Sequence, residues 1–141
     1  MKKMLSTGSS ILCAALLACT SLNCTAKDTD LHKIRCTCYI EPGVTRSGHY
    51  THEGVIAGRK EDLGKIAALY AIDEDGEVGD FIGYFDFYDT GAGIDTDGDG
   101  KGDSIKRGKS VDVYKNDMPG VKEWIQTYGD YVYIKIIEAE G

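Results

Sequence analysis

Glycine-rich turns divide the chain after residue 33 into short apolar segments, and this division constrains the fold more than any other feature. The chain has 141 residues, of which 18 are glycine. Glycine favours turns and close backbone packing over long helices. A chain of this length suits one small domain. The pattern therefore predicts a single domain of many short strands.

Six segments have the composition of strands, and a seventh has that of a helix. The strands are Ile34–Ile40, Gly54–Ala57, Ile66–Ile72, Phe81–Tyr88, Ser110–Tyr114 and Tyr131–Glu138. The segment 66–72 could also form a helical turn, but its length and its turn-rich flanks favour a buried strand. For the helix, Asn116 or Asp117 can be the N-cap, Pro119 lies in the first turn and Gly129 can end it. Its apolar stripe comprises Val121, Trp124, Ile125 and Tyr128.

This order of elements predicts a mainly β fold, a small six-stranded barrel with one C-terminal helix before the last strand. Closing the sheet removes the exposed edges that short strands would otherwise leave. The domain would span residues 34–141. The net charge of -7 argues against a nucleic-acid partner, because phosphate binding needs clustered Lys and Arg.

Residues 1–18 have the pattern of an export signal, a basic start followed by a short apolar run. Residues 16–19 (Leu-Leu-Ala-Cys) resemble the bacterial lipobox, in which Cys19 is lipid-modified and becomes the mature N-terminus. Residues 24–26 offer an alternative site for ordinary cleavage. Either route of processing would place the domain outside the cytoplasm. The polar residues 19–33 would form a tether.

Two cysteines belong to the predicted domain, Cys36 and Cys38. Two residues apart on a strand, they point to the same face. A disulfide between them would close a very small ring with poor geometry. We interpret both as small apolar side chains of the interior, with a redox or metal role as the alternative.

The stretch from Tyr88 to Tyr114 contains the acidic residues that are the main candidates for a functional site. Asp89 lies at the end of one predicted strand and Asp112 lies inside the next. Between them, residues 95–103 read Asp-Thr-Asp-Gly-Asp-Gly-Lys-Gly-Asp. The alternatives are a functional site with this loop inserted into it, or a solvated strand and turn.

The loop fits a calcium-binding pattern. Carboxylates at positions 1, 3, 5 and 9 let successive oxygens converge on one ion, the glycine at position 6 allows the sharp turn, and the next residue offers its carbonyl. The predicted ligands are Asp95, Asp97, Asp99, Lys101 and Asp103. Position 12 is Lys106, so the bidentate glutamate of an EF-hand is absent and the affinity would be modest. A nearby His49, His52 and Glu53 group is better interpreted as a polar turn than as a metal cluster.

Several motifs, taken in order, resemble the 3D (three-aspartate) domain, the C-terminal barrel domain of the membrane-bound lytic murein transglycosylase A family. They are Thr37-Cys-Tyr39, Thr45-Arg-Ser-Gly48, Gly54-Val-Ile-Ala57 with Asp62-Leu-Gly64, Tyr88-Asp-Thr-Gly91, Ile105-Lys-Arg-Gly108 and Val111-Asp-Val-Tyr114. Residues 124–133 also resemble the family's closing helix, its Tyr-Gly pair and its last strand. Each motif alone is a weak indication of this family, but together the motifs cover the whole predicted domain.

The resemblance implies a double-psi β-barrel that acts on peptidoglycan. Asp112 matches the catalytic acid/base of a lytic transglycosylase, and Asp89 is the neighbouring carboxylate that would raise its pKa. A saccharide cleft would be lined by Thr37, Tyr39, Thr45, Ser47 and Lys106, although turn and barrel-wall roles are equally open to each. Its partners would be glycan strands, with the membrane reached only through a lipid anchor, and the protein would be a monomer.

The chain departs from the family pattern at the first aspartate. Arg59 occupies that position, and Asp62 and Asp73 are the candidates to stand in for the missing aspartate. Two alternatives to an enzyme therefore remain: a non-catalytic cell-wall binding module that kept the barrel, or a calcium-stabilised surface lipoprotein of unrelated purpose.

Overall fold

The computed structural model describes residues 31–139, which contain six strands and one α-helix. The strands are β1 (His32–Tyr39), β2 (Val55–Gly58), β3 (Ile66–Ile72), β4 (Val78–Thr90), β5 (Ser110–Tyr114) and β6 (Tyr131–Ile137). A 3-10 turn covers Lys60–Asp62, and the helix α1 (Met118–Tyr128) precedes β6. The predicted signal, Cys19 and residues 19–30 of the tether lie outside the described residues.

The six strands form a closed ring in the order β1-β5-β2-β4-β3-β6. Two pairs are parallel, β1 with β5 and β2 with β4, and the other four are antiparallel. The predicted mainly β architecture with six strands, and with a helix before the last one, is confirmed. Because the ring closes, every strand has a hydrogen-bonded neighbour on both sides.

The core lies inside the ring and follows the two-residue period of the strands. The residues of the central cluster come from all six strands, and where a strand supplies two of them they are two positions apart. These core residues include Ile34, Cys36, Ile56, Ala67, Leu69, Phe87, Val111, Val113, Val132 and Ile134. The helix adds Trp124 to this core, where its ring packs edge-on against Phe85 at a ring distance of 6.0 Å. Of the predicted apolar stripe, Ile125 is exposed because the face that packs on the core is centred on Trp124.

Strand boundaries follow pairing more than local composition. β1 begins at His32, two residues before the predicted start, because residues 32–35 pair with β6. It ends at Tyr39, since Tyr39 opposite Tyr114 is the last pair with β5. β4 runs for 13 residues rather than the predicted eight, because it pairs first with β3 and then with β2. Ile66–Ile72 is a strand, as predicted.

The helix termini agree with the sequence signals. Asp117 is the N-cap, and its side chain accepts a hydrogen bond of 2.9 Å from the backbone of Gly120. Pro119 lies in the first turn. Gly129 ends the helix at φ 74°, a left-handed conformation that glycine adopts without steric cost. This compact ending lets β6 start two residues later.

We predict that Phe87→Ala costs about 3–5 kcal/mol of unfolding free energy, since Phe87 is fully buried and its removal leaves a cavity. Phe81→Ala is the matched control: the same atoms are lost from a side chain that is 48% exposed. It should cost about 1 kcal/mol, from its ring contacts alone. Urea denaturation measures both. Equal losses would contradict this placement of the core.

Candidate functional site

Asp112 lies in the middle of β5, between the buried residues Val111 and Val113. Alternation along the strand therefore turns its side chain to the face opposite the core. Parallel pairing sets Thr37 of β1 beside it, and the Thr37 hydroxyl donates a 2.9 Å hydrogen bond to its Oδ1. On the other side, Ala57 of β2 is its antiparallel partner.

Asp89 lies near the end of β4 and joins three parts of the chain. Its Oδ2 accepts a 3.1 Å hydrogen bond from the Tyr39 hydroxyl. Its Oδ1 accepts hydrogen bonds from the backbone N–H of Arg46 at 3.1 Å and of Thr90 at 3.0 Å. The carboxylate thus fastens the end of β1 and the segment after it to the end of β4.

Both carboxylates open onto one cleft of about 350 Å³. It is lined by Tyr39, Glu41, Pro42, Gly43, Val44, Thr51, Ala57, Asp89, Thr90, Gly91 and Asp112. The structure therefore brings Asp89 and Asp112 to the same cavity, and it adds a third carboxylate, Glu41, which sequence reasoning missed. One sequence signal could have identified Glu41: it directly follows the first predicted strand. A side chain at that position borders any site formed at the C-terminal end of the strand.

The environment raises the pKa of Asp112 above its usual value. Burial is the leading cause, because a desolvated carboxyl group resists ionisation. The Thr37 hydrogen bond opposes the shift, while the charges of Glu41 and Asp89 add to it. The expectation that Asp89 raises this pKa is thus only part of the cause: burial dominates and Glu41 contributes as well. A raised pKa is what a general acid near neutral pH needs.

Of the five predicted saccharide contacts, Tyr39 lines the cleft. Thr37 is not among the lining residues, but its hydroxyl donates the hydrogen bond to Asp112. Burial, followed by the charge of Asp89, raises the pKa of the Tyr39 phenol and keeps it a hydrogen-bond donor. Lys106 is exposed and is absent from the residues that line the cleft.

Thr45 and Ser47 build the turn that borders the cleft. Thr45 is buried, and its hydroxyl accepts a 3.1 Å hydrogen bond from the backbone of His49. The backbone N–H of Ser47 donates to the Tyr88 carbonyl at 3.0 Å, and the His49 ring stacks on the Tyr88 ring at 3.7 Å. These contacts hold the turn against the end of β4.

Arg59 faces a different cavity, of about 130 Å³. Its guanidinium donates two hydrogen bonds to the buried Asp62, at 2.9 and 3.2 Å, and these bonds raise the pKa of Arg59. Asp73 instead accepts hydrogen bonds from Asp75 and Glu77 in the β3–β4 turn. Neither proposed stand-in for the first aspartate lines the cleft.

In the acidic loop, carboxylate oxygens of Asp95, Asp97 and Asp99 lie within 4.8 Å of one another. The backbone N–H groups of Gly98 and Gly100 donate to Asp95 at 2.7 and 2.8 Å. The hydrogen bond from Gly100 is the main reason that the pKa of Asp95 is lowered.

The fourth predicted carboxylate, Asp103, is engaged elsewhere. It accepts a 2.7 Å hydrogen bond from the Thr96 hydroxyl, which lowers its pKa, and it pairs with Arg107 at 2.9 Å. Arg107 also reaches Asp97 at 3.0 Å. Within residues 31–139, Asp95, Asp97 and Asp99 form the one group of three or more His, Cys, Asp or Glu side chains with metal-binding spacing.

The two cysteines form no disulfide, and Glu53 is engaged by other residues. Cys36 is buried and Cys38 half-buried, and both are free thiols. Burial, with a smaller effect of Asp112, raises the pKa of Cys38 to about 11, so its thiolate is scarce at neutral pH. Glu53 accepts hydrogen bonds from the Lys115 ammonium at 2.7 Å and from the backbone of Asn116 at 2.8 Å.

Searches of protein-family models, of curated proteins and of solved structures found no match to this chain. Among residues 31–139, no helix has the length and apolar character needed to cross a membrane.

We predict that Asp112→Asn raises the melting temperature at pH 7 and that the gain shrinks as the pH falls. The folded state raises the pKa of Asp112. Protonated Asp112 therefore contributes stability below its unfolded pKa, and this contribution is lost as the pH rises through its folded pKa. Asparagine resembles the protonated form and removes that loss. The matched control is the exposed Asp80→Asn. A lower melting temperature for Asp112→Asn at pH 7, with Asp80→Asn unchanged, would contradict the prediction.

Proposed function

We propose that this protein cleaves peptidoglycan glycan strands by lytic transglycosylation, with Asp112 as the acid/base. The observation that carries the proposal is the half-buried carboxyl group of Asp112, with a raised pKa, on a cleft large enough for part of a saccharide. A group of this kind can be protonated at a pH where exposed carboxylates are not.

The strand order supports a double-psi barrel. In the ring, each of the two parallel pairs joins strands that are not consecutive in the chain, β1 with β5 and β2 with β4. Such pairs require the chain to cross the ring between them. The two crossings bring Thr37 and Asp112 together from one pair, and Ala57 and Asp89 from the other.

In the proposed reaction, the carboxyl group of Asp112 donates its proton to the glycosidic oxygen as the bond from that oxygen to the anomeric carbon breaks. The 6-hydroxyl of the N-acetylmuramic acid residue then attacks the anomeric carbon, and its proton passes to Asp112. One product carries a 1,6-anhydro ring and the other a new hydroxyl. Asp112 ends in its starting protonation state, and no water is consumed.

The neighbouring residues have distinct parts in this proposal. Thr37 fixes the orientation of the Asp112 carboxyl group through its 2.9 Å hydrogen bond. Asp89 holds Tyr39 and the turn at Arg46, so it shapes the cleft wall and contributes negative charge. That charge suits the oxocarbenium-like transition state of glycoside cleavage. Export with a lipid on Cys19 would place the cleft at the cell wall.

We predict that the protein releases 1,6-anhydromuropeptides from purified peptidoglycan and that Asp112→Asn lowers the rate by at least about 10²-fold, as expected for loss of a general acid. Mass spectrometry of the soluble fragments measures this. Asp80→Asn is again the control and should retain the rate. Absence of anhydro products, or equal rates for Asp112→Asn and the unaltered protein, would contradict the proposal.

A second candidate function is saccharide binding without cleavage. The observation that favours it is Arg59, which stands at the first aspartate position of the resembling family and pairs with Asp62 away from the cleft. Under this alternative, the protein would sediment with insoluble peptidoglycan and release no fragments. The digestion experiment therefore separates the two candidates.

We also propose a structural calcium ion in the loop 95–103. The oxygens of Asp95, Asp97 and Asp99 are already close enough to share one ion, which is the fit that hard-cation binding needs. The Lys101 carbonyl would be a further ligand of the ion. Asp103 would bind the ion through a water molecule, as position 9 often does. The ion would neutralise part of the negative charge of the loop that joins β4 to β5.

We predict that about 10 mM calcium raises the melting temperature by about 5 °C, given a dissociation constant of about 1 mM for a site of this kind. Asp97→Ala combined with Asp99→Ala should abolish the rise. The control is Asp75→Ala with Asp80→Ala, which removes the same charge from the exposed β3–β4 hairpin. Equal melting of the unaltered protein with and without calcium would disprove the site.

A further inference from the structure

Two apolar side chains are exposed beside the cleft, on the hairpin 43–51 that follows β1. Val44 lines the cleft, and Val44 and Tyr50 are each 68% exposed. They are the most exposed large apolar side chains among residues 31–139. The Tyr50 side chain makes no hydrogen bond, ion pair or ring contact with another residue of this range. Apolar area of this kind next to a cleft is informative, because a ligand that covers it removes it from water.

The pairing within the hairpin places these two side chains together. Val44 and Tyr50 form an antiparallel bridge. The residues on either side of them make the backbone hydrogen bonds of the bridge, at 2.6 and 2.9 Å. This is the narrow, non-hydrogen-bonded type of antiparallel pair, in which the two side chains lie side by side on one face. Tyr50 therefore continues the apolar surface of Val44 beyond the cleft, whose lining does not include Tyr50.

The hairpin is fastened to the end of β4. Asp89 accepts a hydrogen bond from the backbone of Arg46, and the backbone N–H of Ser47 donates to the Tyr88 carbonyl at 3.0 Å. The His49 ring stacks on the Tyr88 ring at 3.7 Å. Because the backbone is already held in place, a ligand that binds to the hairpin loses little free energy to ordering it.

We infer that Tyr50, with Val44 beside it, forms a subsite on which one sugar ring of the glycan strand stacks outside the cleft. The inference rests on the proposed saccharide function and adds a binding role that Asp112 does not supply. The cleft of about 350 Å³ holds only part of a strand, so the strand has to cross its rim.

A sugar ring has the chemistry that this surface fits. One face of a pyranose presents axial C–H groups, whose slight positive charge meets the negative face of an aromatic ring. The N-acetyl group of an amino sugar is equatorial and does not obstruct this contact. Two side chains present far less apolar area than the roughly 800 Å² per partner of a stable protein interface. A glycan therefore fits this surface better than a second copy of the chain does.

The test is isothermal titration calorimetry of the full chain with two probes, the dimer and the tetramer of β-1,4-linked N-acetylglucosamine. The dimer occupies the cleft, whereas the tetramer also reaches the rim. The tetramer should therefore bind about five- to tenfold more tightly, as expected for one sugar stacked on one tyrosine. Tyr50→Ala should reduce this ratio to less than about twofold and leave the affinity for the dimer unchanged. Tyr50→Phe keeps the ring and should retain the ratio.

Tyr84→Ala is the matched control, because it removes the same side chain from a position of β4 that is 67% exposed and does not line the cleft. It should keep the ratio of the unaltered protein. An unchanged ratio in Tyr50→Ala, an equal loss of affinity for both oligomers, the same loss in Tyr84→Ala, or binding of neither oligomer would overturn the inference. Conversion of a dimeric protein into a monomer by Tyr50→Ala would also overturn it, because a second copy would then cover this surface.

The peptidoglycan digest tests the proposed cleavage separately. If the subsite is wrong and the cleavage is right, Tyr50→Ala still releases anhydro products at the rate of the unaltered protein. If the cleavage is wrong and the subsite is right, no anhydro products form, but the tetramer keeps its tighter binding.

Discussion

The parallel pairing of β1 with β5 is the interaction on which the site depends. It sets Thr37 opposite Asp112, although 75 residues separate them in the chain. The pairing is itself held by the core, since Cys36, Val111 and Val113 on the other face of these strands are buried inside the ring. A shift of one residue in this register would turn Asp112 into the core and Val113 toward solvent. The hydrophobic pattern therefore fixes the position of Asp112.

The electrostatics of the cleft follow from that placement. A carboxyl group on the outer face of a strand would normally be solvated, but Asp112 lies in a cleft that it shares with the segment after β1, which Asp89 holds through Tyr39 and Arg46. Burial then raises the pKa of Asp112, and the charges of Glu41 and Asp89 act in the same direction. The three carboxylates thus differ: Asp89 anchors the cleft wall, Glu41 faces solvent, and Asp112 has a raised pKa.

Much of the fold could be predicted from sequence because it depends on local signals. The two-residue period of Ser110–Tyr114, the cap at Asp117 and the glycine at position 129 each specify their own element. The residues of the cleft could not all be predicted, because they depend on which strands become neighbours. Glu41 lies in a segment with no pattern of its own, and only the fold around β1 brings it to Asp112. Likewise, the pairing of Arg59 with Asp62 rather than with the cleft depends on the turn after β2.

The central claim is that the fold raises the pKa of the Asp112 carboxyl group above that of an exposed aspartate. Its most direct test is an NMR titration of the Asp112 side-chain carboxyl carbon in the folded domain. The account predicts a pKa clearly above the ordinary aspartate value of about 3.9 and a fall in that pKa when Glu41 is replaced by glutamine. A pKa at or below the ordinary value would contradict it, because Asp112 would then be an exposed carboxylate with no capacity to act as an acid near neutral pH.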